Sequence, residues 1–308
     1  MTIGKEDKPG APVRTGDLLL VSYRRSRDAH PESGIAYGGN IIPLTSLEGL
    51  TGDILQACDS PHVAAGHVGE LAHAAAASAT DTLPGIGQVS FCPPITNPEK
   101  IICLGLNYRD HASEAGFEPP PVPIFFSKFR NALTGPFDPI VLPRSSHEVD
   151  FEGELAVVIG KTGKYIPLEE ALDHVAGYAV MNDVSARDLQ LRTSQWTAGK
   201  TLDTFAPFGP GIVPRALIPD PQDLAIQTRV NGTVVQSDST KSMVFSVAET
   251  IAFLSSLMTL RPGDIIATGT PAGVGFKREP PIYLQPGDVV EVEIEGIGTI
   301  KNPVVSET

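Results

Sequence analysis

The sequence predicts an α+β fold in which strands dominate. Three observations lead there. Short runs rich in Val, Ile, Leu and Phe, such as DFEGELAVVIG, GYAVMND and RPGDIIATG, recur along the chain and end in Gly, Asn or Asp. Runs of that length and composition are strand signals. One segment, SVAETIAFLSSLMTL, has clear amphipathic helical spacing. A proline-rich stretch from Pro93 to Pro98 reads as a linker. It divides a small N-terminal α+β domain, residues 1–92, from a longer strand-rich domain, residues 93–308.

Composition narrows the class of partner. The chain has 308 residues, 41% hydrophobic and 19% charged, ordinary values for a globular protein with a real core. Lys plus Arg is 23 and Asp plus Glu is 36, so the net charge is 23 − 36 = −13. Nucleic-acid binding needs basic surface, and this balance argues against it. Cys58, Cys92 and Cys103 form no C-x-x-C pair, which suggests reduced thiols in a cytoplasmic protein. The start, MTIGKEDKPGAP, has no apolar core of a signal peptide, and no run is apolar enough to predict a membrane span.

In chain order, residues 1–12 read as a disordered lead. GDLLLVSYR and GIAYGGNIIPL read as strands, and SLEGLTGDILQACDS and VAAGHVGELAHAAAASA carry helical spacing. His62, His67 and His73, five and six residues apart, do not share one helical face and read as surface histidines. IICLGL is a strand followed by a polar loop or short helix, and PIFFSKFRNALTGPFDPIVLP places Lys128 and Arg130 among aromatics. LEEALDHVAGYAVMND reads as a short helix and then a strand. LAIQTRVNGTVVQSDST is a hairpin whose turn, Asn231-Gly232, also matches a glycosylation sequon. Ser246 and Glu249 form a capping box for the one clear helix. The loop TGTPAGVG fits neither the P-loop nor the dinucleotide pattern, although it can offer hydrogen bonds to a small carboxylate. PGDVVEVEIEGIGTIKNPV closes the chain as a second hairpin-like pair.

The chemistry concentrates between Val149 and Gln190. Glu152 and Glu154 lie two apart on a predicted strand, so their side chains share a face. A Glu-x-Glu pair on an open strand is usually just solvated. Flanked by a nearly continuous apolar run, it is partly buried and needs a partner or a metal. Asp183 ends the next strand and completes a set of three carboxylates. Such oxygen donors, with no Cys or His among them, suit Mg²⁺ or Mn²⁺. His111 and Glu114, three apart, share a face of any helical turn there. Spacing alone favours a surface ion pair, while a His held by a carboxylate is also a general-base arrangement. Lys200 lies in a Gly-flanked loop near Trp196.

LGLNYRDHASEAG, FFSKFRNALTGP, DFEGELAVVIG, GYAVMNDVSARDLQ, AGKTLDTFAPFGP and RPGDIIATGTPAGVG follow one another over roughly residues 95 to 305. In that order they closely resemble the fumarylacetoacetate hydrolase family, and the N-terminal part is similar to the small lead domain of bacterial members. The resemblance implies a mixed β-sandwich roll catalytic domain, usually a homodimer. It implies a divalent metal held by Glu152, Glu154 and Asp183, with Ca²⁺ able to stand in for Mg²⁺ or Mn²⁺ in a crystal. It makes His111 and Glu114 a water-activating dyad on a segment that often acts as a lid, with Lys200 as a third catalytic residue. Gln190 and Thr270, and less firmly Lys128 and Arg130, match substrate-contacting positions. The additional carboxylate ligand of the larger members has no match in Asn107, Tyr108, Arg109 or Asp110, which places the chain in the three-carboxylate branch. The expected reaction is hydrolytic carbon–carbon cleavage of an acylpyruvate-type 2,4-dioxo acid. Decarboxylation of oxaloacetate, or isomerisation of a hydroxy-diene dioate, is the alternative. A non-catalytic dicarboxylate-binding protein is a remote rival from another class.

Overall fold

The structure, a computed structural model, describes residues 19–26, 28–47, 49–60 and 83–308. The lead at residues 1–12, the alanine-rich helical segment and His62, His67 and His73 lie outside the described residues. The fold is mainly β, with parallel and antiparallel pairings mixed in its sheets and few helices.

Two long strands form the centre. Gly153–Ile159 and Val175–Asn182 pair antiparallel, and every residue in both is buried. Strands covered on both faces need apolar residues at successive positions, which is why both segments read as unbroken apolar runs. On one side Gly153–Ile159 pairs with Ile265–Ala267, which runs parallel to Ile101–Gly105, and Ile124–Lys128 then forms an edge. On the other side Val175–Asn182 pairs with Ala206–Pro214. The N-terminal strand Leu19–Arg24 adds to the same sheet through Leu20↔Ile212, and pairs in turn with Glu32–Tyr37 and Ser90–Cys92. The expected domain boundary therefore falls just after a strand that shares the large sheet with the second part.

A five-stranded sheet, made from Thr233–Ser239, Ala225–Val230, Val289–Ile294, Gly298–Ser306 and Ile140–Leu142, packs on one face of the first. Burial alternates along Val289–Ile294, as expected where one face meets the core and one meets solvent. Val292, Ile294 and Ile300 join Val157, Tyr178 and Val180, with Ile251 and Leu254 of the helix Val247–Leu257, in one core. Ala156, Val158, Ala179 and Met181 build a second core on the opposite face with Ile35, Phe208 and Ile265.

The expected local devices are present. Ser246 Oγ accepts from Glu249 N, and Glu249 Oε2 accepts from Ser246 N, at the head of Val247–Leu257. Asn231 and Gly232 both have positive φ, 52° and 78°, the backbone of a tight hairpin turn. GIAYGGNIIPL differs from expectation and folds as two strands, Glu32–Tyr37 and Asn40–Pro43. Gly38 and Gly39, at φ 59° and 84°, make the reversal there. LEEALDH winds as a 3-10 helix, Leu168–His174. Among the described residues no helix is long and apolar enough to cross a membrane.

Candidate active site

The floor of the site follows from strand register. Gly153 lies opposite Asn182, and the pairing continues one step further as Asp183 N donates to Glu152 O at 2.8 Å. Asp183 is thereby brought across from Glu152, while Glu154 projects two residues along. The intervening residue must be small, because a Cβ at Gly153 would meet Thr228 Oγ1 at 2.3 Å. One carboxylate oxygen each from Glu152, Glu154 and Asp183 lies within 4.8 Å of the others, and all three residues are buried.

Three cations are buried with them. Lys200 Nζ donates to Glu152 Oε2 at 2.6 Å and to Asp183 Oδ2 at 2.8 Å. Lys128 Nζ lies 2.7 Å from Asp183 Oδ1 and donates to the carbonyls of Val184, Lys200 and Phe205. Arg187 Nη2 bridges Asp150 Oδ2 at 2.8 Å and Glu152 Oε1 at 2.6 Å, and its Nη1 donates to Gln190 Oε1. Asp150 also accepts from the amides of Phe151, Gly275 and Phe276. With every group ionised, three cations face four carboxylates, and 3 − 4 leaves −1.

That imbalance falls on Glu154. Its Oε2 accepts from Gly269 N at 2.9 Å, but its buried Oε1 has no donor among the described residues. Burial, with Asp183 and Glu152 beside it, lifts its carboxyl well above the ordinary range. Burial works the same way on Glu152, but Lys200 and Arg187 outweigh it and hold that carboxyl low. Burial also opposes the charge on Lys200, and Asp183 and Glu152 overcome it, so the ammonium persists. A buried acceptor without a donor, in a cluster of hard oxygens with residual negative charge, fits a divalent cation.

The wall comes from the helix Arg109–Ala115. Asn107, buried beneath it, donates to the carbonyls of Phe245 and Thr268 and accepts from Phe245 N. Gly116 ends the helix with φ 84°. His111 Nδ1 lies 3.4 Å from Glu114 Oε2. His111 is buried and faces inward, so the pair is not the exposed surface one that spacing alone favoured. A cavity of about 120 Å³ lies between wall and floor. His111, Glu152, Glu154, Arg187, Gln190, Lys200 and Thr270 line it, and Phe117, Phe126, Leu191, Trp196 and Phe276 supply apolar walls. Thr270 Oγ1 donates to Gly153 O and accepts from Gln236 Nε2.

Eight of the ten residues singled out from the sequence thus meet at one place. The other two, Lys128 and Arg130, stand apart from it. Lys128 does not line the cavity, because its ammonium lies beneath Asp183, held by three carbonyls. Arg130 is exposed on a 3-10 turn and donates to Asn97 Oδ1. Sequence reading missed Arg187, Asp150 and Phe276. Asp150 was findable, since it continues the alternate-residue series of Glu152 and Glu154 one step back. Arg187 stands four residues after Asp183 in an already conspicuous segment, and only the fold shows that it turns back to Glu152. Cys58, Cys92 and Cys103 are free and buried.

Residues 100–305 match the fumarylacetoacetate hydrolase C-terminal family. A mitochondrial oxaloacetate tautomerase of Xenopus laevis is 45% identical over 316 residues, covering 99% of this chain and 95% of its own length. Among solved structures, the 2-hydroxyhepta-2,4-diene-1,7-dioate isomerase of Mycobacterium marinum superposes with a TM-score of 0.72 at 34% identity, over 94% of this chain and 99% of that one. The maleylpyruvate hydrolase of Sphingobium sp. SYK-6, solved with manganese (II) and pyruvate, gives 0.73 at 31% identity, over 94% and 100%.

Proposed function

Since this chain belongs to the fumarylacetoacetate hydrolase family and is one of its enzymes, we propose that it interconverts the enol and keto forms of oxaloacetate or a closely similar 2-oxo dicarboxylic acid. The observation that carries this reading is the placement of His111, oriented by Glu114, in one cavity with the three-carboxylate cluster. Tautomerisation needs one proton moved between a carbon and an oxygen, and no attacking water. Relatives similar over nearly the whole chain include the mitochondrial oxaloacetate tautomerases of Xenopus laevis and Homo sapiens. Hydrolytic carbon–carbon cleavage, the first expectation, has weaker support than the isomerase alternative.

Glu152, Glu154 and Asp183 would hold Mg²⁺ or Mn²⁺, which when bound supplies a Lewis acid for the 2-oxo group and its neighbouring carboxylate. With Nδ1 turned to Glu114, His111 keeps Nε2 for substrate and moves the proton to or from C3. Lys200, at the floor, places positive charge beside the oxygen where charge develops. Gln190 and Thr270 orient the substrate, and Phe126, Trp196 and Phe276 exclude water from it. Loss of enol absorbance, followed with enol-oxaloacetate and either metal, tests the reading. A chain that holds metal yet leaves the enol rate at its uncatalysed value sinks it.

A second reading, hydrolysis of an acylpyruvate, is favoured by the likeness to maleylpyruvate hydrolase, and there His111 would activate a water. Release of a carboxylic acid from acylpyruvates by the same preparation distinguishes the two. The proposal retains a homodimer, for which the edge strand Ile124–Lys128, with Ile124 and Phe125 exposed, leaves a side unpaired among the described residues. It also retains the cytoplasmic location, although several relatives are mitochondrial proteins. Sedimentation and fractionation test these two points.

A further inference from the structure

The loop 273–276 touches the active site at both of its ends. At one end, Gly273 N donates to both carboxylate oxygens of Glu114, at 3.0 and 3.2 Å, and Glu114 faces His111. At the other, Gly275 N and Phe276 N donate to Asp150, at 2.8 and 3.1 Å, and Asp150 holds Arg187 against Glu152. The loop therefore sets the distance between the wall and the floor.

Beside the bonds from Ile282 N to Gly275 O and from Gln236 Nε2 to Pro271 O, the loop is held by Arg278. Its Nε donates to Gly273 O at 3.1 Å, and its Nη2 donates to Val235 O on the neighbouring sheet. Gly273 has φ 102°, and a Cβ there would come within 2.2 Å of Val235 O. The turn thus presses directly on the sheet, and one guanidinium clamps it there. The helix carrying His111 and Glu114 has only seven residues, too few to hold its own geometry in water. Its second tie to the loop, Lys277 Nζ to Ala115 O at 3.4 Å, comes from an exposed amine.

We infer that Arg278 is a positioning residue: by clamping the Gly273 turn to Val235 it presents the Gly273 N–H to Glu114 and so fixes His111 over the carboxylate floor. This rests on the proposed role of His111. Displacing a catalytic group by about 1 Å costs on the order of 10²-fold in rate. Arg278→Ala should therefore lower kcat about 10- to 100-fold, with KM and metal affinity nearly unchanged. Arg278→Lys keeps the charge without the fork and should recover part of the loss. Lys277→Ala should change little.

A double-mutant cycle with His111→Ala tests the route. If Arg278 acts through His111, its substitution costs almost nothing further once His111 is gone. An equal loss from Arg278→Ala in both backgrounds overturns the inference, and so does an unchanged kcat. If His111→Ala itself leaves kcat intact, the functional reading fails instead. Should Arg278→Ala not fold, Arg278→Lys carries the same cycle, and amide exchange across Arg109–Ala115 is measured beside it. Faster exchange there with a lowered kcat supports the clamp. Wild-type exchange with wild-type kcat overturns it.

Discussion

The floor and the wall of the cavity are built on different principles. The floor carboxylates stand on two long paired strands or one step beyond them: Glu154 lies opposite Met181, and the Asp183 N to Glu152 O bond extends the ladder to the other two. The wall is a short helix and a loop, tied down by side chains that reach backbone amides and carbonyls: Asn107, Glu114, Asp150 and Arg278. The floor gains rigidity from a ladder, and the wall depends on a few single bonds. On the proposed reading, the floor places charge and the wall places a proton-transfer group. Substitutions in the two should therefore fail in different ways.

The largest effect belongs to the floor. Asp183→Ala should abolish metal-dependent turnover and weaken metal binding, as read by calorimetry with Mn²⁺, while also leaving Lys128 and Lys200 without their shared carboxylate. Full turnover after chelation and metal replenishment would remove Asp183 from the site. Next comes the wall. His111→Ala should lower the turnover of the proposed reaction by about 10²- to 10⁴-fold with metal affinity nearly intact. If metal affinity falls in parallel, wall and floor are not separable and the contrast fails.

Between them lies Arg187, which belongs to the floor but faces the cavity. Arg187→Lys loses the guanidinium that spans Asp150, Glu152 and Gln190. A loss of about 10- to 100-fold in metal affinity is expected, the usual effect of removing a group that orients a ligand. A change in KM alone would assign Arg187 to substrate instead. The smallest effect concerns stability. Burial and the adjoining carboxylates raise the Glu154 carboxyl, so the folded metal-free chain holds a proton that the unfolded chain gives up. The associated stability is fully present below the ordinary carboxylate range and is lost as pH rises through the raised value. At neutral pH without metal, Glu154→Gln should be more stable than the parent by about 1–3 kcal/mol. Mn²⁺ should reverse that order. Denaturant unfolding with and without metal gives both numbers, and parent and variant losing stability equally with pH would show that Glu154 carries no such strain.

The same contrast explains how much could be read in advance. Glu152, Glu154 and Asp183 were legible because a strand turns sequence spacing of two into a shared face, and because flanking apolar runs announce burial. The central strands, the Asn231-Gly232 turn and the Ser246–Glu249 box were legible for similarly local reasons. Lys128 was tied to the site only through family resemblance, because residue type says nothing of direction, and its ammonium points down among carbonyls. The wall was legible only through family resemblance. His111 and Glu114 are ordinary at three-residue spacing, and what makes them a unit is an amide contributed by Gly273.

The bond between Gly273 and Glu114 spans 159 residues, and the one between Gly275 and Asp150 spans 125. On the ribosome, synthesised from the N-terminus, the chain emerges with its dyad helix and its acidic strands long before the loop that joins them. Contacts of such range form late and slowly. Until then the nascent chain carries the acids without a closed cavity around them. A polypeptide released early, anywhere short of residue 273, would hold nearly every reactive side chain and still lack the joint between them. Competence to act thus arrives only once Gly273 and the residues just after it have been added.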